Sequence, residues 1–180
     1  MLKLCPVCRT PQLSKVLLES NLPAFACPRC EGEWISADDY WAWLEHQDDI
    51  PPEPPADGPP LQVSDNQQAT LCPDCRCLML KYRVGHELSF YLDQCSRCQG
   101  LWFDKNEWAS LKRRGLHDEV HKVFSAPWQA KIRANERQKK VDQVYLNTIG
   151  AEDYVEAQRV KQWLDQHPQR DVLLSFLNSG

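Results

Sequence analysis

Cys27-Pro28-Arg29-Cys30-Glu31-Gly32-Glu33-Trp34 decides how this sequence folds, because the chain carries it twice. It returns as Cys95-Ser96-Arg97-Cys98-Gln99-Gly100-Leu101-Trp102. Ahead of each copy stands another Cys-x-x-Cys, Cys5-Pro6-Val7-Cys8 and Cys72-Pro73-Asp74-Cys75. Behind each lies a tryptophan segment, Trp41-Ala42-Trp43-Leu44 and Trp108-Ala109-Ser110-Leu111. The offset is 67 residues at the first cysteine pair, 68 at the second and 67 at the tryptophan. Such self-similarity marks two copies of one small unit, differing by single-residue slips.

The cysteine pairs point to metal chemistry. A Cys-x-x-Cys turn puts two thiolates on one side of an ion, and a second turn brought back by a hairpin supplies two more. The intervals, 18 residues between Cys8 and Cys27 and 19 between Cys75 and Cys95, suit a folded-back hairpin. The predicted ligand sets are therefore Cys5, Cys8, Cys27 and Cys30, and Cys72, Cys75, Cys95 and Cys98. Two zinc ions per chain are expected, with iron the alternative for a four-thiolate set. A thioredoxin-like redox pair would need a βαβ setting, which is absent. Disulfides would need an oxidising compartment.

Between the cysteine pairs the second copy reads as a hairpin. Leu78–Val84 and Leu88–Asp93 flank Gly85-His86-Glu87. The first copy has the weaker pattern of Leu13–Leu18, Asn21-Leu22-Pro23 and Ala24–Ala26. A helix follows each second pair, with Ser36 or Asp104 as a plausible N-cap. Gly32 and Gly100 are expected to let the backbone turn. Trp34 and Trp102 are expected to cover the sheet beside the metal. Units this small bury too little apolar surface to fold alone, so the metal supplies much of the folding free energy.

At these residues the sequence resembles the zinc ribbons of the transcription factor IIB type found in many small bacterial proteins. The pattern Cys-Pro-x-Cys, hairpin, Cys-x-x-Cys-x-Gly-x-Trp carries the resemblance over residues 4–45 and 71–111. The second copy departs from it by having Ser96 where Pro28 stands in the first, which changes no ligand. The expected fold class is small α+β: two tandem zinc ribbons, each a β-hairpin plus a short helix, followed by an α-helical C-terminal region. The expected domains are residues 1–46, a linker at 47–70, residues 71–115 and a helical region at 116–180.

The linker opens with Ile50-Pro51-Pro52-Glu53-Pro54-Pro55-Ala56-Asp57-Gly58-Pro59-Pro60. Its six prolines favour an extended, semi-rigid spacer, and the two ribbons are expected to be separate beads, with a stiff spacer that holds them at a set distance as the alternative. In the C-terminal region a short helix is predicted over 117–124 and a longer one from Trp128 to about Thr148, ending near Gly150. Another spans about Ala151 to Gln166, with Tyr154, Val155, Trp163 and Leu164 as its buried residues. Asp171 is placed as cap of a last apolar turn, Val172–Leu177.

Charge is unevenly spread. Residues 1–70 carry 4 Lys/Arg against 11 Asp/Glu, a net of -7; residues 112–140 carry 9 against 3, a net of +6. The basic residues Lys131, Arg133, Arg137, Lys139 and Lys140 do not all share one helix face. With a net of -4 for the chain, nucleic acid is a possible but less favoured partner than protein. Cys77, left over from the eight paired cysteines, reads as a packed side chain. His117 and His121 share a helix face, but Asp118 stands where a metalloprotease helix has glutamate. No catalytic set stands out, so the sequence predicts a non-enzymatic protein-interaction module. A nucleic-acid binder and a rubredoxin-like iron electron carrier are the alternatives. The mean hydropathy of -0.57, with no apolar run near the ~20 residues of a membrane span, predicts a cytoplasmic protein without membrane contact.

Overall fold

The computed structural model describes residues 3–9, 12–19, 21–46 and 61–179. The Pro-rich stretch 47–60, with the spacer reading attached to it, lies outside the described residues. The first repeat forms β1 (Ser14–Glu19), β2 (Leu22–Ala26), β3 (Glu33–Ile35) and α1 (Ala37–Leu44). The second forms β4 (Met79–Gly85), β5 (Leu88–Cys95), β6 (Leu101–Phe103) and α2 (Glu107–Arg113). Then come α3 (Val120–Val123), α4 (Ala126–Ile149), α5 (Ala151–Gln166) and α6 (Arg170–Leu177). The expected mixed α+β class, with a helical C-terminal region, is what forms.

The hairpins follow the predicted pattern. In the second, β4 and β5 meet through His86 and Glu87, both left-handed at φ 51° and 66°. Two successive left-handed residues match the twist of the strands, as in a type I′ turn. Ser36 caps α1, its hydroxyl accepting from the Asp39 N–H at 3.1 Å. Asp104 does not cap α2 in that way; Asn106 stands at that position, and the Asp104 carboxylate bonds elsewhere.

The two repeats are not separate beads. One antiparallel sheet runs through both, in the order β1-β2-β3-β6-β5-β4. At its centre the short strands β3 and β6 pair, Glu33 with Phe103, Trp34 with Trp102 and Ile35 with Leu101. Trp34 and Trp102 are the same residue of the two repeats, so a local two-fold relation passes between them. Their facing edges are thereby satisfied by each other instead of by solvent. The expectation failed because a spacer's stiffness constrains distance and does not oppose a sheet contact.

Two cores lie on opposite duties of this sheet. One holds Leu22, Ile35, Tyr40 and Trp43 of the first repeat with Leu92, Phe103, Trp108 and Leu111 of the second. The other gathers Cys5, Cys27, Cys72 and Cys95 around Trp34 and Trp102. Ion pairs and hydrogen bonds also cross between repeats: Trp108 Nε1 donates to Glu19 at 3.1 Å, and Lys112 pairs with Glu19 at 3.3 Å. Val120 and Val123 of α3 complete the first core, and Trp128 Nε1 donates to the Val84 carbonyl at 3.0 Å.

The chain divides into two compact units, residues 1–132 and 133–180. The second contains the rest of α4 with α5 and α6. Of its four predicted buried residues, Leu164 is buried, while Val155 and Trp163 are exposed. Forty-eight residues in three helices cannot enclose every apolar side chain. No described helix is long and apolar enough to cross a membrane.

Candidate metal centres

In each repeat the hairpin returns the second Cys-x-x-Cys against the first. The sulfurs of Cys5, Cys8, Cys27 and Cys30 all lie within 4.8 Å of one another, and so do those of Cys72, Cys75, Cys95 and Cys98. Measured pairs are 3.6 Å for Cys5–Cys30 and 4.0 Å for Cys8–Cys27. In the second cluster Cys72–Cys98 is 3.5 Å, Cys75–Cys95 is 3.3 Å and Cys75–Cys98 is 3.9 Å. A tetrahedron of sulfurs at about 2.3 Å from zinc has edges of about 3.8 Å. Both clusters therefore fit a zinc ion. Four thiolates close a tetrahedral ion, leaving no position for substrate, which is the pattern of structural sites.

The turns that hold the sulfurs repeat one geometry four times. Residue four after the leading cysteine is left-handed: Arg9, Glu31, Arg76 and Gln99, with φ of 64°, 58°, 61° and 58°. Each donates its N–H to the carbonyl of that cysteine at 2.9–3.1 Å. The turn aims other N–H groups at the sulfurs. Cys8 donates to Cys5 Sγ at 3.2 Å, Arg29 to Cys27 Sγ at 3.4 Å, Asp74 to Cys72 Sγ at 3.3 Å and Arg97 to Cys95 Sγ at 3.4 Å. Such bonds favour the thiolate.

Gly32 and Gly100 have a different role from the one expected. Neither is in the left-handed region; the residue before each takes that conformation. A Cβ on Gly32 would stand 2.3 Å from the Trp102 ring, and one on Gly100 would stand 2.3 Å from the Trp34 ring. Each glycine makes room for the other repeat's tryptophan. Both rings are fully buried among the cysteines. Trp34 Nε1 donates to Asp74 Oδ2 at 3.2 Å, and Asp74 also pairs with Lys3, tying the second repeat's turn to the first.

The surroundings set a proton cost on ionising these sulfurs. Burial pushes the Cys5 thiol up to about 11 and the Cys72 thiol up to about 12, and it raises Cys30 and Cys98 too. Cys75 goes the other way, to about 6, chiefly through the Cys77 backbone N–H. A divalent cation resolves the conflict by holding the buried thiolates without protons.

Residues 4–46 match the TFIIB-type zinc ribbon, a transcription factor zinc-finger family. That match takes in the first cysteine cluster, its hairpin, β3 and α1. The second cluster, with the same turns and the same order of strands, suggests a second ribbon. No curated protein and no solved structure matches the chain.

Other residues marked in the sequence fall where packing uses them. Cys77 packs, partly buried, against the second cluster. His121 Nδ1 lies 3.3 Å from the Tyr40 hydroxyl, and the His117 ring packs on Trp43 and Trp108. Lys131, Arg133, Arg137, Lys139 and Lys140 are all exposed on α4. Arg133, Arg137 and Lys140, spaced by four and three, do fall on one face. Sequence reasoning passed over a group of carboxylates, Asp65, Asp104 and Glu107. Its members are 39 and 3 residues apart with no motif spacing, and the one signal was an acidic pair at a helix start.

Proposed function

We propose that this chain is a zinc-stabilised, non-enzymatic protein-interaction module, with the eight paired cysteines as its metal ligands. The observation that carries the reading is the closed four-sulfur form of both clusters, each with two cysteines buried and two half-buried: metals held this way support a scaffold and leave no coordination position for chemistry. The scaffold presents two sheet edges. The carbonyls of Arg83 and Val84, on edge strand β4, accept from Gln129 and Trp128. Edge strand β1 has no described strand on its outer side and exposes Leu17 at 71%. An open edge with an apolar side chain suits addition of an extended segment from a partner protein.

Metal analysis of the purified chain should give two zinc ions per chain and a colourless protein. Iron with its absorption bands would favour an electron carrier. A photo-reactive residue at Leu17 should then crosslink to a discrete protein, while one at Gln138 should not. Equal yields from both positions would count against an edge-strand role.

Nucleic acid binding is the second reading, favoured by the description of the matching family and by the exposed face of Arg133, Arg137 and Lys140. Against it stands the acidic front, net -7 over residues 1–70. Binding to generic DNA or RNA at physiological salt should be weak, on the order of 10⁻⁴–10⁻⁶ M. Tight, sequence-selective binding that survives added salt and is lost in Arg133→Ala/Arg137→Ala would make this second reading the better one.

A further inference from the structure

A group of carboxylates lies outside both four-sulfur sets, beside Trp102 and the hollow that Cys30 also lines. Asp65, Asp104 and Glu107 each bring one carboxylate oxygen within 4.8 Å of the others. Glu107 is 1% exposed and Asp104 6%. Asp93, also buried, acts on them electrostatically and is already paired with Lys81 at 2.8 Å.

Each carboxylate is held by bonds that leave it capacity. Asp104 accepts from Trp102 Nε1 at 2.8 Å and from the Asn66 N–H at 2.7 Å. Glu107 Oε2 accepts the Asp104 N–H at 2.8 Å. Asp65 Oδ2 accepts from Gln67 at 2.5 Å, the Tyr91 backbone N–H also bonds this carboxylate, and the Lys81 ammonium acts on it electrostatically. Glu107 Oε1 and Asp65 Oδ1 are buried with no hydrogen-bond partner among the described residues. An unmet buried carboxylate oxygen is costly, and more so when the group is charged.

We propose that Asp65, Asp104 and Glu107 hold a hard divalent cation of the Mg²⁺, Mn²⁺ or Ca²⁺ class, with the unmet Oε1 of the buried Glu107 as its anchoring ligand. The three donors of the group are all carboxylates, which selects hard ions over zinc. Oxygens on opposite sides of an ion at about 2.1–2.6 Å stand about 4–5 Å apart, so the observed span is within reach. Asp65 and Asp104 line an open hollow of ≈ 480 Å³ together with Arg29, Cys30, Asn66 and Lys105, giving the ion a route in; the Cys30 sulfur there is already committed to the first four-sulfur set. Lys105 is engaged by Glu31 at 2.8 Å.

Comparison of the repeats supports the assignment. At an offset of 68, Asp104 and Glu107 correspond to Ser36 and Asp39. In the first repeat those two satisfy each other, Ser36 Oγ donating to Asp39 Oδ2. The second repeat has replaced the serine donor with another carboxylate, and α2 has no side-chain cap. An ion there would join the 64–66 segment to the start of α2.

The test uses the full, zinc-loaded chain. Mn²⁺ is titrated by electron paramagnetic resonance, and Mg²⁺ and Ca²⁺ by calorimetry, with zinc content measured throughout. The expected result is one ion per chain beyond the two zincs, with a dissociation constant between about 10⁻⁶ and 10⁻³ M. Glu107→Gln, which keeps the shape, should weaken binding at least tenfold. Asp65→Asn, at a less buried site, should do the same if Glu107→Gln disturbs folding. No uptake of any of the three ions, an affinity unchanged by Asp65→Asn, or occupation by a third zinc alone would each overturn the proposal. A protonated-carboxyl infrared band lost in Glu107→Gln, with no ion bound, would assign the cluster to a shared proton instead.

Discussion

A methyl group on Gly32 has no room, because the Trp102 ring already occupies it at 2.3 Å. The ring is fully buried and cannot swing into solvent without opening the centre of the sheet. Gly32→Ala and Gly100→Ala should each cost about 1–3 kcal/mol, the usual penalty of overpacking. Urea denaturation of the zinc-loaded protein measures it, and an unchanged midpoint would mean that the rings have slack. Glu33 gives a pH signature at the same strand pairing. Burial lifts its carboxyl from 4.5 to about 7. The fold then holds this proton more tightly than the unfolded chain does, so its contribution is full below about pH 4.5 and is lost as pH rises through about 7. Glu33→Gln should flatten that part of the stability profile between about pH 4.5 and 7, and an identical slope in both proteins would dismiss it. The cysteines were legible from spacing alone, since a metal's ligand geometry fixes it. The reason for the glycines was not, because the ring that excludes a side chain comes from 70 residues away at Gly32 and 66 at Gly100.

The three-residue strands β3 and β6 make one sheet out of two hairpins. Both hairpins could be read in the sequence from alternation and turn chemistry, which are local. The joining strands could not: three residues carry no period, and their pairing spans 66 to 70 positions. Emptying one metal site should therefore be felt at the other. Cys27→Ser should remove the first zinc and lower the unfolding temperature of the whole sheet, in a single calorimetric transition. Two resolved transitions, with the second at its original temperature, would restore the picture of independent ribbons. The helix after each hairpin was likewise legible, and Ser36 caps α1 as expected. Asp104 does not cap α2, because the Trp102 indole and the Asn66 N–H compete for its carboxylate and hold it.

Across the whole molecule the metals outweigh the margin of stability. Structural zinc contributes about 10–16 kcal/mol of apparent free energy per site, against the 5–15 kcal/mol by which a domain is stable. Chelation should thus abolish the sheet's circular dichroism and shift tryptophan emission to the red as Trp34 and Trp102 become wet; a retained spectrum would show that the shared core suffices. The central pairing of Trp34 with Trp102 has one more consequence. Because each half offers the same edge to the other, a first half meets the same contacts in the second half of a neighbouring molecule as in its own. Only the tether between the halves favours the internal match, through the effective concentration it imposes. Refolding with zinc at high protein concentration should therefore trap exchanged dimers, which revert to monomers on dilution only as fast as the sheet opens. Light scattering after refolding over a range of concentrations reads this out, and a monomer at every concentration would mean that the tether always wins.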